Sequence, residues 1–343
     1  MRSCMGCMLS VVALLATASG AFAADVEKKS FSLRLAAAQS RFARFTDSAG
    51  LGGAGAGSPW SSSPNPASTG MNASVGPSRW GTSLQYALLS FDAGTLVHVG
   101  SLSGAHETCS WGNWQPSVLY LASNRATTRD GLEFAWEAWS AEVQWGRKVT
   151  SDTSVGVNVS YLGSSMDYDL GPLAVSSSTS DTWGLRVGVL HEVSERLFVG
   201  ATLDGQVTPS DTTVHDFMGL GIGDVEVSDT MYTLMGRVGL YTFLTKDLTL
   251  YADVQAAYFT DDTGSLVTYR LFAGLDQTVI RGLYVRAGTV LDAYENAALA
   301  LGIGITPSER LMIDVVWQYD MFPEITPEFG VGQTFGVGLT VLF

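Results

Sequence analysis

The sequence predicts an all-β fold: a transmembrane antiparallel β-barrel of about 14 strands, preceded by a Gly-, Pro- and Ser-rich N-terminal segment that is either a surface loop or linker or an N-terminal lumenal plug. Three observations predict it. Side chains alternate between apolar and polar from residue 79 to the C-terminus. Apolar residues make up 46% of the chain and charged residues only 15%. No apolar stretch long enough for a membrane helix follows residue 23, and strands that cross lipid must close into a barrel.

The first 23 residues have the features of a secretory signal peptide. Arg2 is its positive start, Met8 to Ala16 is a short apolar run, and Ala21-Phe22-Ala23 fits a small-x-small cleavage site. No cysteine lies at the cleavage point, which argues against a lipoprotein. We expect export to a bacterial outer membrane, with cleavage near Ala23 and this division: signal peptide 1–23, plug 24–78, transmembrane barrel 79–343.

The composition disfavours several classes of protein. The chain is acidic, with a formal charge of −14 at pH 7, so nucleic acid is not an expected partner. Cys109 is the one cysteine left after cleavage, so we expect no disulfide framework, and it reads as a small buried or loop residue. We expect no metal or cofactor, because the histidines show no ligand-like spacing: His98, His106, His191 and His215.

The clearest alternation lies between Glu309 and Asp320, where Leu311, Ile313 and Val315 share one face and Asp314 lies on the other. The last strand repeats it and ends on an aromatic residue. This ending resembles the assembly signal of outer-membrane barrels, which implies the barrel-assembly machinery, outer-membrane lipid and lipopolysaccharide as partners. The residues of this predicted signal are Phe335, Val337, Leu339, Val341 and Phe343.

Charged residues occupy the polar phase of many predicted strands, and we expect them to face the lumen. Acid–arginine pairs across the lumen would order the wall and hold the plug; alternatively, these residues only solvate a water-filled interior. The predicted lumen-facing residues are Glu133, Glu137, Glu142, Arg186, Arg196, Arg237, Asp253, Arg270, Arg286, Asp292 and Asp314.

The alternation changes phase within Leu132 to Lys148. Phe134 and Trp136 are in one phase, whereas Trp139 and later apolar residues are in the other. A slip of one residue is what a β-bulge produces, so we predict a bulge at Ala138-Trp139. Three earlier strands are predicted, near 115–122, 93–99 and 79–91.

The connections alternate in length, which agrees with short periplasmic turns and longer outward loops. The predicted short turns are Thr306–Glu309, Leu244–Asp247, Glu192–Glu195 and Lys148–Thr153. The predicted long connections are Gly163–Asp181, Gln206–Asp229 and Asp320–Gly332. Gly100–Trp114 is the exception, a long connection where a short one is expected. The predicted number of strands therefore lies between 12 and 14.

The segment before the first strand carries a family resemblance. A Gly-Leu-Gly-x-Ala run over Gly50 to Ala54, a polar spacer and Asn65-Pro66-Ala67 resemble the FadL-like outer-membrane transporters of long-chain fatty acids and aromatic hydrocarbons. The resemblance implies a lumenal hatch and a sideways route into the membrane for hydrophobic small molecules, for which the predicted bulge is a candidate opening. The hatch residues that it implies are Gly50, Leu51, Gly52, Asn65, Pro66 and Ala67.

Other readings stay open. An autotransporter-like translocator would thread one helix through the pore, and a diffusion porin would have an open lumen. Apolar residues outside the predicted strands either line a ligand pocket or pack in loops: Trp60, Phe217, Met218, Leu220 and Ile222. We expect no enzyme, since no Gly-x-Ser-x-Gly elbow is present.

Overall fold

The computed structural model describes residues 29–42, 54–58, 65–71, 80–108, 111–128, 131–170, 173–216, 223–292 and 296–343. Fourteen long antiparallel strands close into a barrel, as predicted. They are β1 (Trp80–Phe91), β2 (Leu96–Thr108), β3 (Gly112–Ser123), β5 (Glu133–Lys148), β6 (Thr153–Leu170), β7 (Leu173–Ser194), β8 (Leu197–Val214), β9 (Val225–Phe243), β10 (Leu248–Asp261), β11 (Gly264–Ile280), β12 (Leu283–Asp292), β13 (Ala297–Ser308), β14 (Leu311–Tyr319) and β15 (Gly332–Leu342). The two-residue strand β4 (Ala126–Thr127) adds only to the end of β5.

Each long strand pairs with its neighbours in the chain, and the first and last strands pair with each other. Gly81 lies opposite Leu342 and Phe91 opposite Gly332, so β1 and β15 are in register along their whole length. β3 pairs with β5, which completes the ring. Closure leaves no unpaired sheet edge, which lipid would penalise.

The outer face of the barrel is apolar. On β13, Leu301 and Ile303 face outward and are 52% and 49% exposed, whereas the adjacent Ala300 faces inward and is 1% exposed. On β14 the outward residues are the apolar set predicted above, and Gln318 faces inward and is buried. Lipid rather than a protein core receives the apolar phase of these strands.

The two ends of the barrel differ in the length of their connections. The turn end carries Phe343 and tight turns at 149–152, 195–196, 244–247, 281–282 and 309–310. The loop end carries the other connections. The exceptional long connection disappears, since β2 runs to Thr108 and β3 begins at Gly112, with His106 paired to Trp114. The sequence pattern missed this because its alternation weakens where the strands leave the membrane.

Two predicted long connections are mostly strand. β6 reaches Leu170 and β7 starts at Leu173, and β8 and β9 extend similarly to Val214 and from Val225. These extensions are rich in Ser and Thr, whose hydroxyls bond across strands, as Ser164 with Ser180 at 2.8 Å. Both faces of the hairpins are polar there, so the apolar signal that marks a strand is absent.

The predicted bulge at Ala138-Trp139 is wrong. β5 stays in register with β6 from Glu133 to Lys148, and with β3 from Glu137 to Gly146. The phase changes because the lumen itself changes: Phe134, Trp136 and Ala138 face an apolar interior near the loop end. The outward phase therefore includes Glu133 and Glu137, and their predicted place in the lumen is corrected.

The described parts of the N-terminal segment lie among inward-facing side chains. Helix α1 (Phe31–Phe42) packs near β10 and β11, residues 54–58 are buried, and helix α2 (Ala67–Met71) contacts β5 and β6. The β14–β15 connection folds inward and contains a 3-10 turn (Pro323–Ile325) and helix α3 (Thr326–Phe329). None of the helices in the described ranges has the length and apolar character of a membrane span.

Candidate functional site

The lumen near the loop end is an apolar core. Inward residues of β1, β2, β3 and β5 surround side chains delivered by the β14–β15 connection. Phe322, Ile325 and Phe329 are each at most 3% exposed there. Together with α1, residues 320–331 form the cap, which covers the loop end of the lumen.

Ion pairs join the cap to α1 and to the wall. Arg34 pairs with Glu328 at 2.5 Å and donates to the Glu324 carbonyl at 3.1 Å. Arg270 of β11 pairs with Glu324 at 2.5 Å and also donates to the Ala37 carbonyl. Because breaking a buried ion pair leaves a charge without its partner, these contacts hold the cap in one position.

Below the cap, one carboxylate fixes the N-terminal segment to the wall. Asp253 Oδ2 accepts hydrogen bonds from the backbone N–H of Gly55 at 2.7 Å and of Ala56 at 2.9 Å. The same oxygen accepts from Arg237 Nε at 3.0 Å and Nη2 at 2.5 Å. Arg237 also lies 4.1 Å from the ring centre of Phe272, so the wall positions the carboxylate before the segment binds it.

Nearer the turn end, the Asn65-Pro66-Ala67 motif lies on bare backbone. Gly146, Gly156 and Gly188 are direct neighbours across β5, β6 and β7. Gly200 and Gly239 pair with each other on the next two strands, β8 and β9. We call the five residues the glycine patch: Gly146, Gly156, Gly188, Gly200 and Gly239. A Cβ on any of them would overlap the N-terminal segment or the carboxylate that holds it; at Gly146 it would lie 2.5 Å from Gly70 N.

Hydrogen bonds complete the docking of this motif. The Asn65 amide nitrogen donates to the Ala56 carbonyl at 2.8 Å and to the Val189 carbonyl of β7 at 3.0 Å. Ser154 Oγ donates to the Ala67 carbonyl at 2.7 Å, and Asn113 of β3 donates to the Thr69 carbonyl. Residues 65–69 thus bond to three strands, β3, β6 and β7, and to their own segment.

A cavity of about 1040 Å³ runs beside the N-terminal segment from α1 to the turn-end rim. Its wall combines apolar surface with polar side chains, which include Gln85, Ser101, Ser103, Gln115, Ser117 and Gln144. Glu142 also faces it and accepts from Ser117 at 2.9 Å and from Asn158 at 3.0 Å. The cavity is therefore lined by both kinds of surface, whereas the core under the cap is apolar.

The wall of this cavity has a gap in its hydrogen-bond ladder. β2 and β3 pair up to Ser103 with Ser117 and again at His106 with Trp114, but not between. Pro116 lies in the gap opposite Gly104, and a proline has no N–H to donate. The cavity lining includes Gly104 and Val118, so this break in the pairing, the seam, borders the cavity.

The structure places the predicted lumen charges as follows. Arg186 pairs with Asp204, and Arg286 bridges Asp276 and Asp314 at 3.1 and 2.6 Å. Arg237, Asp253 and Arg270 make the contacts above, Asp292 is buried at the end of β12, and Arg196 lies at the turn end. Gly50, Leu51, Gly52, Trp60, Cys109, Phe217, Met218, Leu220, Ile222 and the signal peptide lie outside the described residues.

No protein-family model matches the sequence, and no curated protein matches it. Solved structures do match. The toluene transporter TodX of Pseudomonas putida aligns with a TM-score of 0.54 at 12% identity, over 86% of this chain and 97% of that chain. This chain has the fold of the FadL-like channels.

Two further structures support the assignment of the FadL-like fold. The monoaromatic hydrocarbon channel CymD aligns with a TM-score of 0.57 at 13% identity, over 86% of this chain and 96% of that chain. A FadL homologue of Pseudomonas aeruginosa aligns with a TM-score of 0.57 at 15% identity, covering 86% and 98% of the two chains. The predicted resemblance is confirmed for the fold.

Several site residues of this FadL-like barrel were not predicted from sequence. Phe322, Glu324 and Phe329 lie in a connection read as an outward loop, and nothing in its sequence marks it as inward-folding. Pro116 carried a usable signal, since a proline inside a predicted strand indicates a break in pairing. Among the described residues, no cluster of His, Cys, Asp and Glu has the arrangement of a metal site.

Proposed function

We propose that this protein transports hydrophobic small molecules, fatty acids or aromatic hydrocarbons, across a bacterial outer membrane. The observation that carries the proposal is the seam at Gly104 and Pro116, a break in the strand pairing that borders the lumenal cavity. The known channels of this fold include a toluene transporter and a monoaromatic hydrocarbon channel, which supports the ligand class.

The proposed route begins at the loop end. A hydrophobic molecule passes the cap, occupies the apolar core and reaches the cavity beside the N-terminal segment. Polar side chains interrupt the cavity wall, so an apolar solute gains free energy by leaving through the seam into lipid, at about 25 cal/mol for each Å² of apolar surface that it removes from polar surroundings. The exit is thus sideways, between β2 and β3.

In this proposal residues 24–78 are the plug, and the barrel begins at residue 79. The docking of 54–58 and 65–71 on the wall supports a folded hatch rather than the single threaded helix of an autotransporter-like translocator. It also opposes a diffusion porin, because the segment occupies the path from the loop end to the turn end.

The proposed location follows from the apolar outer face and the tight turns. The turn end is periplasmic and the tall hairpins of β6 to β9 face outward among lipopolysaccharide. Export by a signal peptide cleaved near Ala23, and insertion by the barrel-assembly machinery through the Phe335–Phe343 strand, belong to this proposal.

Uptake by cells tests the function. Cells that produce the protein should take up labelled toluene or labelled oleate faster than cells that lack it. A small polar solute such as a disaccharide serves as control and should enter at the same rate in both. If cells with and without the protein take up each apolar probe at the same rate, the transporter is contradicted. Faster entry of the disaccharide into producing cells indicates a porin.

A further inference from the structure

The apolar core already holds one aromatic ring, and the chain itself supplies it. The Phe329 ring lies 5.0 Å from the ring centre of Phe134, 5.8 Å from Phe91 and 6.4 Å from Phe31. All three pairs are tilted, at 50° to 59°, the geometry that aromatic rings prefer over face-to-face stacking. One ring each from β5, β1 and α1 thus forms an aromatic cage around Phe329, which the β14–β15 connection carries.

The segment that carries this ring is joined to the barrel at two special backbone positions. Asp320 has φ 57°, which is rare for a residue other than glycine, and Gly330 has φ 79°. These two positions bracket the cap connection directly after β14 and before β15. Residues that absorb large backbone changes occur at such element ends, so the connection can turn about them as a unit.

Side-chain contacts, rather than a strand ladder, keep the connection inside the lumen. Its two acids pair with Arg34 and Arg270, as described above. Hydrogen bonds to the β1–β2 turn run from Ala93 N–H to the Phe329 carbonyl, from Asp92 N–H to the Val331 carbonyl and from Val331 N–H to the Asp92 carboxylate. The connection moves outward when these contacts break. The ring of Phe329 therefore leaves its cage when the connection moves outward.

We propose that Phe329 is a built-in substitute for the ligand, and that its cage is a binding site for one uncharged aromatic ring. A monocyclic aromatic hydrocarbon replaces the Phe329 ring when the connection swings out, and the returning ring expels it toward the cavity. This inference rests on the proposed function and narrows its ligand class. The aromatic walls favour a benzene-sized ring over a linear fatty acyl chain.

Binding to purified full-length protein in detergent tests the site, with toluene as the probe. In wild type, toluene must first displace Phe329, so its apparent affinity is reduced by the fraction of molecules with the cage empty. The substitution Phe329→Ala removes that competition. We expect it to tighten toluene binding about ten-fold or more, measured by calorimetry.

Two matched variants make the result interpretable. Leu301→Ala deletes an apolar side chain on the outer face of β13, away from the cap and the cage, and it should leave toluene affinity unchanged. Phe329→Leu keeps most of the volume but loses the ring, and it should give an intermediate gain. Heat-modified gel migration reports whether each barrel is folded; if Phe329→Ala is unfolded, Phe329→Leu decides.

The proposal is overturned if Phe329→Ala binds toluene no better than wild type, if Leu301→Ala gains equally, or if decanoate gains in place of toluene. This binding assay is independent of uptake. If producing cells import oleate but Phe329→Ala shows no gain in toluene binding, the aromatic site is contradicted and the transport function is not. If the variant binds toluene tightly but producing cells show no uptake, the transport function is contradicted and the aromatic site is not.

Discussion

At the scale of single residues, the plug is held by a few groups of the wall. Asp253 accepts four hydrogen bonds on one oxygen, two from the segment and two from Arg237. Sequence placed this carboxylate in the lumen by alternation alone. It did not reveal the backbone N–H groups that bind it, because Gly55 and Ala56 carry no side-chain signal for such a contact.

We predict that Asp253→Asn loosens the plug. The amide keeps the shape but loses the charge, so Arg237 stays buried without its counter-ion, at a cost of about 3–5 kcal/mol. Planar-bilayer recordings should show more open events than wild type. Asp314→Asn removes a carboxylate from Arg286 and serves as the control, with wild-type gating expected. Identical recordings for Asp253→Asn and wild type would contradict the role of this residue.

The glycine patch gives a second prediction at this scale. A methyl group on Gly156 would overlap Pro66, so Gly156→Ala should push the motif off the wall and make residues 65–71 accessible to added protease. Gly336→Ala is the matched control, since its Cβ would meet nothing nearer than 3.7 Å. Equal protease resistance of both variants would show that the contact is not as close as described.

At the scale of elements, alternation predicts strands only where the two faces of the wall meet different surroundings. On β13 and β14 large apolar side chains face lipid and small or polar ones face the lumen, and the predicted faces are the observed ones. On β5 the inward residues Phe134, Trp136 and Ala138 are apolar while Glu133 and Glu137 face outward, so one continuous strand looked like two phases. The cap connection had no periodic signal, and its inward fold depends on ion pairs with distant residues.

The cap gives a prediction for an element. Arg34→Ala removes the charge that pairs with Glu328, so the connection should spend more time outside the lumen. We expect hydrogen exchange of the backbone amides of residues 323–330 to quicken several-fold, while amides of the 281–282 turn keep their rates. Unchanged exchange in the cap would mean that its apolar contacts alone hold it.

At the scale of the whole molecule, the proposed function assigns two tasks to different parts of the barrel. In that proposal the plug and cap block a straight path for polar solutes, and apolar solutes pass into lipid through the seam beside Pro116. Strand number, the alternation of outer and inner faces and the last strand were predictable, because lipid imposes them on every strand. The proposed route was not predictable from sequence, since it depends on which two strands lose pairing beside Pro116.

Locking the seam tests this account most directly. Ala105→Cys with Gln115→Cys, in a Cys109→Ser background, places two thiols across the gap and keeps Pro116, since the register on either side sets these two residues opposite each other. Val315→Cys with Val337→Cys locks a fully paired position as control. Oxidation should reduce labelled toluene uptake only in the Ala105/Gln115 cells, and reduction should restore it. Full uptake through the oxidised seam would contradict a sideways exit.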